Sequence, residues 1–200
     1  TGSTALVIHQ DGTVLGRGYQ EIHQHYPAPG WVEHDPEELF TSLVAAGTRA
    51  LASAGLTAGQ VAGIGLDVQR ETVVLWDRAT LRPVHNAIVW QDRRTADRCR
   101  ELRAQGRTDW LAERTGLVPD PYFSATKIEW LLRDADLRRR AVAGELAVGT
   151  VDSWIVARLT SGRAHVTDHT NASRTLLYDL AARQWDPELL ALFGVPAALL

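Results

Sequence analysis

The stretch GIGLDVQRETVVLW, Gly63 to Trp76, sets Arg70 beside Glu71 between two apolar runs. A guanidinium fork donates hydrogen bonds and a carboxylate accepts them, so the pair suits a ligand built of hydroxyl groups, each of which does both. On a regular strand adjacent side chains point to opposite faces. At a strand end or bend they can converge, and open α/β sheets bind ligands beyond the carboxyl ends of their strands. A structural ion pair is the competing reading, because a buried charge must be compensated. Trp90 closes the run NAIVW, and Tyr122 stands in DPYFS just ahead of Ser124. A small polyol needs one flat apolar wall opposite its polar contacts, which Trp90 can supply. Core packing for Trp90 and turn capping for Tyr122 compete with that role. Thr1-Gly2-Ser3-Thr4 is small and hydroxyl-rich, and such a stretch can offer backbone N–H groups to a phosphate, although no P-loop Gly-Lys-Ser/Thr follows.

The other reactive side chains point to structure. His23 and His25 share a strand face and His165 and His169 flank a loop, none with the spacing and carboxylate company of a metal site. Cys99 falls on the apolar stripe of an arginine-rich helix and reads as an inert packed thiol. Asp152 reads as a helix-start acid. One cysteine allows no internal disulfide, so the reducing cytoplasm is the expected compartment. The formal net charge of −3 gives nucleic acid no electrostatic reason to bind the whole molecule. No apolar run is long enough to insert in a membrane. The opening lacks a methionine and FGVPAALL has no polar tail, so the chain is expected to be a piece of something longer.

These residues need elements to position them. Thr4–His9 and Val14 to about His25 read as a hairpin turning at Asp11-Gly12. Asp35-Pro36-Glu37-Glu38 caps a helix whose apolar face is Phe40, Leu43, Val44, Gly47 and Leu51, ending at Gly55. Val61–Val68, continuously apolar, reads as a strand covered on both faces. Short strands follow at Val73–Trp76, Ala87–Trp90, Leu146–Gly149 and Thr175–Tyr178. Helices are expected from Asp92 onward and over Thr108–Glu113, Ser124–Arg133, Val151–Leu159 and Asp186–Leu192. The pattern gives one layered α/β domain spanning residues 1–200.

Six ordered blocks, PGWVEHDP, QRET, NAIVWQDRRTA, TGLVPDPYFSATK, GTVDSW and VTDHTNASRT, resemble the amino-terminal domain of the glycerol kinases, within the FGGY family of carbohydrate kinases. The resemblance implies a ribonuclease-H-like, actin-like ATPase fold, a central mixed sheet carrying a β-hairpin with helices on its faces. It implies transfer of the γ-phosphoryl group of ATP, with Mg2+, to glycerol. It places substrate contacts at Arg70, Glu71, Trp90 and Tyr122, and candidate phosphate contacts at Thr1, Gly2 and Ser3, where Gly2 and Thr4 depart from a usual serine and arginine. The catalytic aspartate and the carboxy-terminal nucleotide domain would lie outside residues 1–200, so this chain should not turn over alone. A kinase for another polyol or ketose, and a non-catalytic actin-like module, are the alternatives. A homo-oligomer is an option for the full-length protein.

Overall fold

The computed structural model describes residues 2–200, so Thr1, one of the candidate phosphate contacts, lies outside it. Chain contacts divide into two compact units, Thr1–His25 with His34–Asp67, and Tyr26–Glu33 with Val68–Leu200.

In the first unit β1 (Gly2–Ile8) and β2 (Val14–Glu21) form the expected antiparallel hairpin. Gly12 supplies the positive φ of 90° that its turn requires. Gly2 and Ser3 are strand residues rather than a loop, and the Ser3 hydroxyl is engaged with that of Ser42 at 2.8 Å. The two-residue β3 (Glu33–His34) has one residue in each unit, and α1 runs from Pro36 to Ala54 in the first. Its start is as read, with the Asp35 carboxylate accepting from the Glu37 N–H, and it stops at left-handed Gly55.

The buried face of α1 differs from the expected one. Leu39, Ser42, Ala46 and Ala50 are buried, whereas Val44 is exposed. Close approach decides this. A Cβ on Gly18 would stand 2.0 Å from the Ala46 carbonyl oxygen, and one on Gly16 would stand 2.4 Å from that of Ala50. Small residues let helix and hairpin touch backbone to backbone, which the larger Leu43 and Val44 could not allow.

Val61–Val68 is not a strand. Residues 61–69 carry no regular structure and Ile64 is 73% exposed. An apolar run becomes a strand only where a neighbour takes its backbone hydrogen bonds, and no ladder forms along it.

The second unit holds β4 (Val74–Asp77), β5 (Ala87–Ile88) and β6 (Leu146–Gly149), with β4 antiparallel to β6 and Val73 bridging to Ile88. Around them lie α2 (Ala96–Ala104), α3 (Arg107–Thr115), α4 (Ser124–Leu131), α5 (Ala135–Val142), α6 (Val151–Leu159), the short α7 (His169–Ala172), the pair β7 (Tyr178–Asp179) and β8 (Gln184–Trp185), and α8 (Pro187–Leu192). The core joins Leu75, Ile88, Leu102, Ile128, Leu146, Leu176 and Phe193. α6 and β6 match their expected bounds; α5 and α7 are additions. Cys99 is fully buried, as read. No helix among the described residues is long and apolar enough to cross a membrane.

Candidate functional site

Glu71 and Trp90 flank the β4–β5 region, and Tyr122 leads into α4. Because residues 69–72 form a turn, closed by the Thr72 N–H donating to the Gln69 carbonyl, Arg70 and Glu71 escape strand alternation. They nevertheless part company. Arg70 is exposed and meets no partner among the described residues, whereas Glu71 is only 3% exposed. The structural ion pair between these neighbours does not form.

Glu71 is held from both ends. Its backbone carbonyl accepts from the Ser124 hydroxyl at 3.1 Å, at the start of α4. Its Oε1 accepts from Arg174 Nε at 2.8 Å, from 103 positions along the chain. Among the described residues no donor meets Oε2, which leaves one carboxylate oxygen open to a ligand hydroxyl.

The aromatic wall is a pair. Trp90 and Tyr122 meet edge to face with centroids 5.3 Å apart, and Tyr122 meets Phe123 the same way at 5.3 Å. Thr72 fixes Trp90 through its hydroxyl, which accepts from the Trp90 N–H at 3.2 Å. Both Trp90 and Tyr122 are half-buried, so each keeps an open face.

Lys127, the chain's one lysine, sits beneath the Tyr122 loop. It is fully buried, and Nζ donates to the carbonyls of Pro121, Tyr122 and Phe123 at 2.6, 2.8 and 3.1 Å. Burial pushes its pKa down to about 7, against the upward pull of Asp92 and Glu71. A second buried network lies behind. Arg94 donates to Asp92 at 2.8 Å and to Glu33 at 2.7 Å, with its guanidinium 3.8 Å from the Trp31 ring centroid.

Structure thus brings together Glu71, Trp90 and Tyr122, and leaves Arg70 beside them in sequence but turned to solvent. Arg174 and Lys127 were missed as members of the cluster. Lys127 stood out only as the lone lysine, and Arg174 had no mark beyond its place in VTDHTNASRT. A separate cavity of about 340 Å³ is lined by Ser124, Thr150, Ser153, Asp168, His169 and Tyr178 among others, and by none of the four expected substrate residues. Ser124, which also holds Glu71, is its nearest link to them. Asp152, read as a helix-start acid, is buried and accepts from the hydroxyls of Thr150 and, at 2.7 Å, Thr167. Among the described residues no three His, Cys, Asp or Glu side chains converge as a metal cage. They therefore offer Mg2+ no cage of their own.

The model of the FGGY family of carbohydrate kinases, N-terminal domain, matches residues 1–200. The chain belongs to that family. It is 54% identical over its whole length to a glycerol kinase from Rhodospirillum rubrum and 54% identical to one from Alkalilimnicola ehrlichii. It spans 41% of the length of each of these relatives. A crystal structure of Plasmodium falciparum glycerol kinase with ADP superposes with a TM-score of 0.90 at 34% identity, covering 96% of this chain and 38% of that one. The fold is therefore that of the actin-like FGGY kinases. The expected mixed central sheet is represented by short two-stranded pairs among the described residues.

Proposed function

We propose that this chain is the substrate-side part of an ATP-dependent glycerol kinase, which moves the γ-phosphoryl group of ATP to a terminal hydroxyl of glycerol and yields glycerol 3-phosphate. The observation that carries the reading is Glu71, a buried carboxylate with one oxygen tied to Arg174 and the other open. Each glycerol hydroxyl needs a donor and an acceptor. Arg70 would fold over to donate, Glu71 Oε2 would accept, and the Tyr122 hydroxyl would meet a further oxygen. Trp90 would cover the carbon face. That two relatives 54% identical to this chain are glycerol kinases supports glycerol as the alcohol.

Phosphoryl transfer asks a protein mainly for positioning and charge stabilisation. This chain's share is to orient the acceptor alcohol. The base that takes the hydroxyl proton, and most of the ATP and Mg2+ contacts, are assigned to the part of the relatives' length that the chain does not span. Gly2 and Ser3 remain candidate phosphate contacts, but as neighbours in the β1–β2 ladder only one of their two N–H groups points away from the hairpin. We place the protein in the cytoplasm, consistent with its one buried thiol, and leave homo-oligomerisation to the full-length protein.

The test is a phosphorylation panel on the protein as its gene encodes it, with ATP–Mg2+ and glycerol, erythritol, xylulose or ribulose. Strong preference for glycerol, lost in Arg70→Ala and Glu71→Gln, is the expected result. Preference for another alcohol retires glycerol, and no transfer from a folded full-length protein favours a non-catalytic module.

A further inference from the structure

We propose that Arg174 is the positioning residue of the polyol site, fixing the Glu71 carboxylate and bracing the Tyr122 loop so that both present their free groups to one ligand. The proposal rests on the polyol reading above and adds a residue that acts through Glu71.

A buried carboxylate needs a compensating charge. The obvious supplier, Arg70, is exposed and unengaged. Arg174 supplies it instead, with Nε 2.8 Å from Oε1 of a Glu71 side chain that is 4% exposed. The same guanidinium lies 5.0 Å from the Phe123 ring centroid and 5.8 Å from that of Tyr122. One planar group therefore touches the acceptor and the aromatic wall together, within the range where a cation is drawn to a ring face.

The backbone that carries Arg174 is itself fixed. The Arg174 N–H donates to the Asn171 carbonyl, the Thr175 hydroxyl donates to Ala172, and the Thr175 carbonyl accepts from the Ala125 N–H in the first turn of α4 at 2.8 Å. The segment after α7 and the start of α4 are thus clamped, and α4 also reaches Glu71 through Ser124. Because Arg174 spends Oε1, the lone pairs of Oε2 remain for a substrate hydroxyl. Without it, the buried Glu71 carboxylate would have no hydrogen-bonded partner among the described residues. Its side chain would then have no hydrogen bond to fix its rotamer, and it would stop being a fixed acceptor.

The experiment is a double-mutant cycle in the full-length protein, reading the KM for glycerol, the KM for ATP and kcat for wild type, Arg174→Gln, Glu71→Gln and the pair. Arg174→Gln is expected to raise the glycerol KM at least tenfold with the ATP KM unchanged, and Arg174→Lys to recover part of the loss. On the Glu71→Gln background the same change is expected to add little, since the group it positions is gone. An additive effect on both backgrounds, or an unchanged glycerol KM in folded Arg174→Gln, overturns the proposal. Should Arg174→Gln fail to fold, comparing Glu71→Gln with the double variant still decides, because neither buries an unpaired carboxylate. An unchanged glycerol KM in Glu71→Gln would strike the polyol reading itself. Wild type that prefers xylulose retires glycerol alone, and the same cycle is then read with that sugar.

Discussion

Replacing Lys127 with methionine separates two forces that act on one ammonium group. Burial drives its pKa from 10.5 to about 7, while three carbonyls at 2.6 to 3.1 Å favour keeping the proton. In the unfolded chain the group titrates near its ordinary value. Between roughly pH 7 and 10.5 the unfolded state then holds a proton that the folded state has released, so stability rises with pH across that window. Below about 7 both states are protonated and the burial cost is fully present. The slope is at most about 1.4 kcal/mol per pH unit, which makes about 2 kcal/mol between pH 7.5 and 9. Methionine fills similar space and carries no proton, so its variant lacks this rise. It also strands the carbonyls of Pro121 and Tyr122, at about 1–3 kcal/mol for each that finds no water, while that of Phe123 keeps its place as the N-cap acceptor of α4. Urea unfolding followed by tryptophan fluorescence at the two pH values measures both effects. The variant is expected to be less stable throughout, with its deficit widening by about 2 kcal/mol at the higher pH. Parallel profiles would refute the reasoning, because they would mean that the carbonyl cradle outweighs burial and Lys127 stays charged.

Two further substitutions probe the frame around the site. Gly18→Ala sets a methyl 2.0 Å from the Ala46 carbonyl oxygen, so β2 and α1 must separate, at about 1–3 kcal/mol; an unchanged urea midpoint would contradict the close packing. Cys99 is fully buried, and burial pushes its thiol up to about 11. Native protein is therefore expected to resist a thiol reagent at about pH 8 and react only after denaturation, and Cys99→Ser should keep activity. Rapid labelling of the native state would reverse the structural reading.

Local signals carried a good part of this architecture. Asp35-Pro36 announced α1, Gly55 its end, and Asp11-Gly12 the hairpin, because caps and turns are written in two or three adjacent residues. α5 was overlooked although Asp134 caps it by accepting from the Asp136 and Leu137 N–H groups; only Ala141 in it is buried, so it has no apolar rhythm to read. The face of α1 was misread because periodicity favours large side chains, whereas Gly16 and Gly18 select small ones across a long-range contact. Glu71, Trp90 and Tyr122 were legible as types that suit hydroxyls. Arg174 was not, because its role is set by a contact that closes 103 positions of chain, and nothing nearby distinguishes it from the other arginines.

The contrast between a clamped Glu71 and a solvent-facing Arg70 gives the two residues unequal freedom to vary. A change of side chain at position 71 takes away the partner of Arg174, whose guanidinium also lies against Tyr122 and Phe123, so it unsettles packed neighbours and costs folding stability. A change at position 70 disturbs no packed neighbour and alters only which donor can swing over the ligand, with roughly 2 kcal/mol of arginine rotamer freedom given up when it does. Divergence in substrate choice on this scaffold is therefore easiest to reach from the exposed partner, with the buried one kept as a constant.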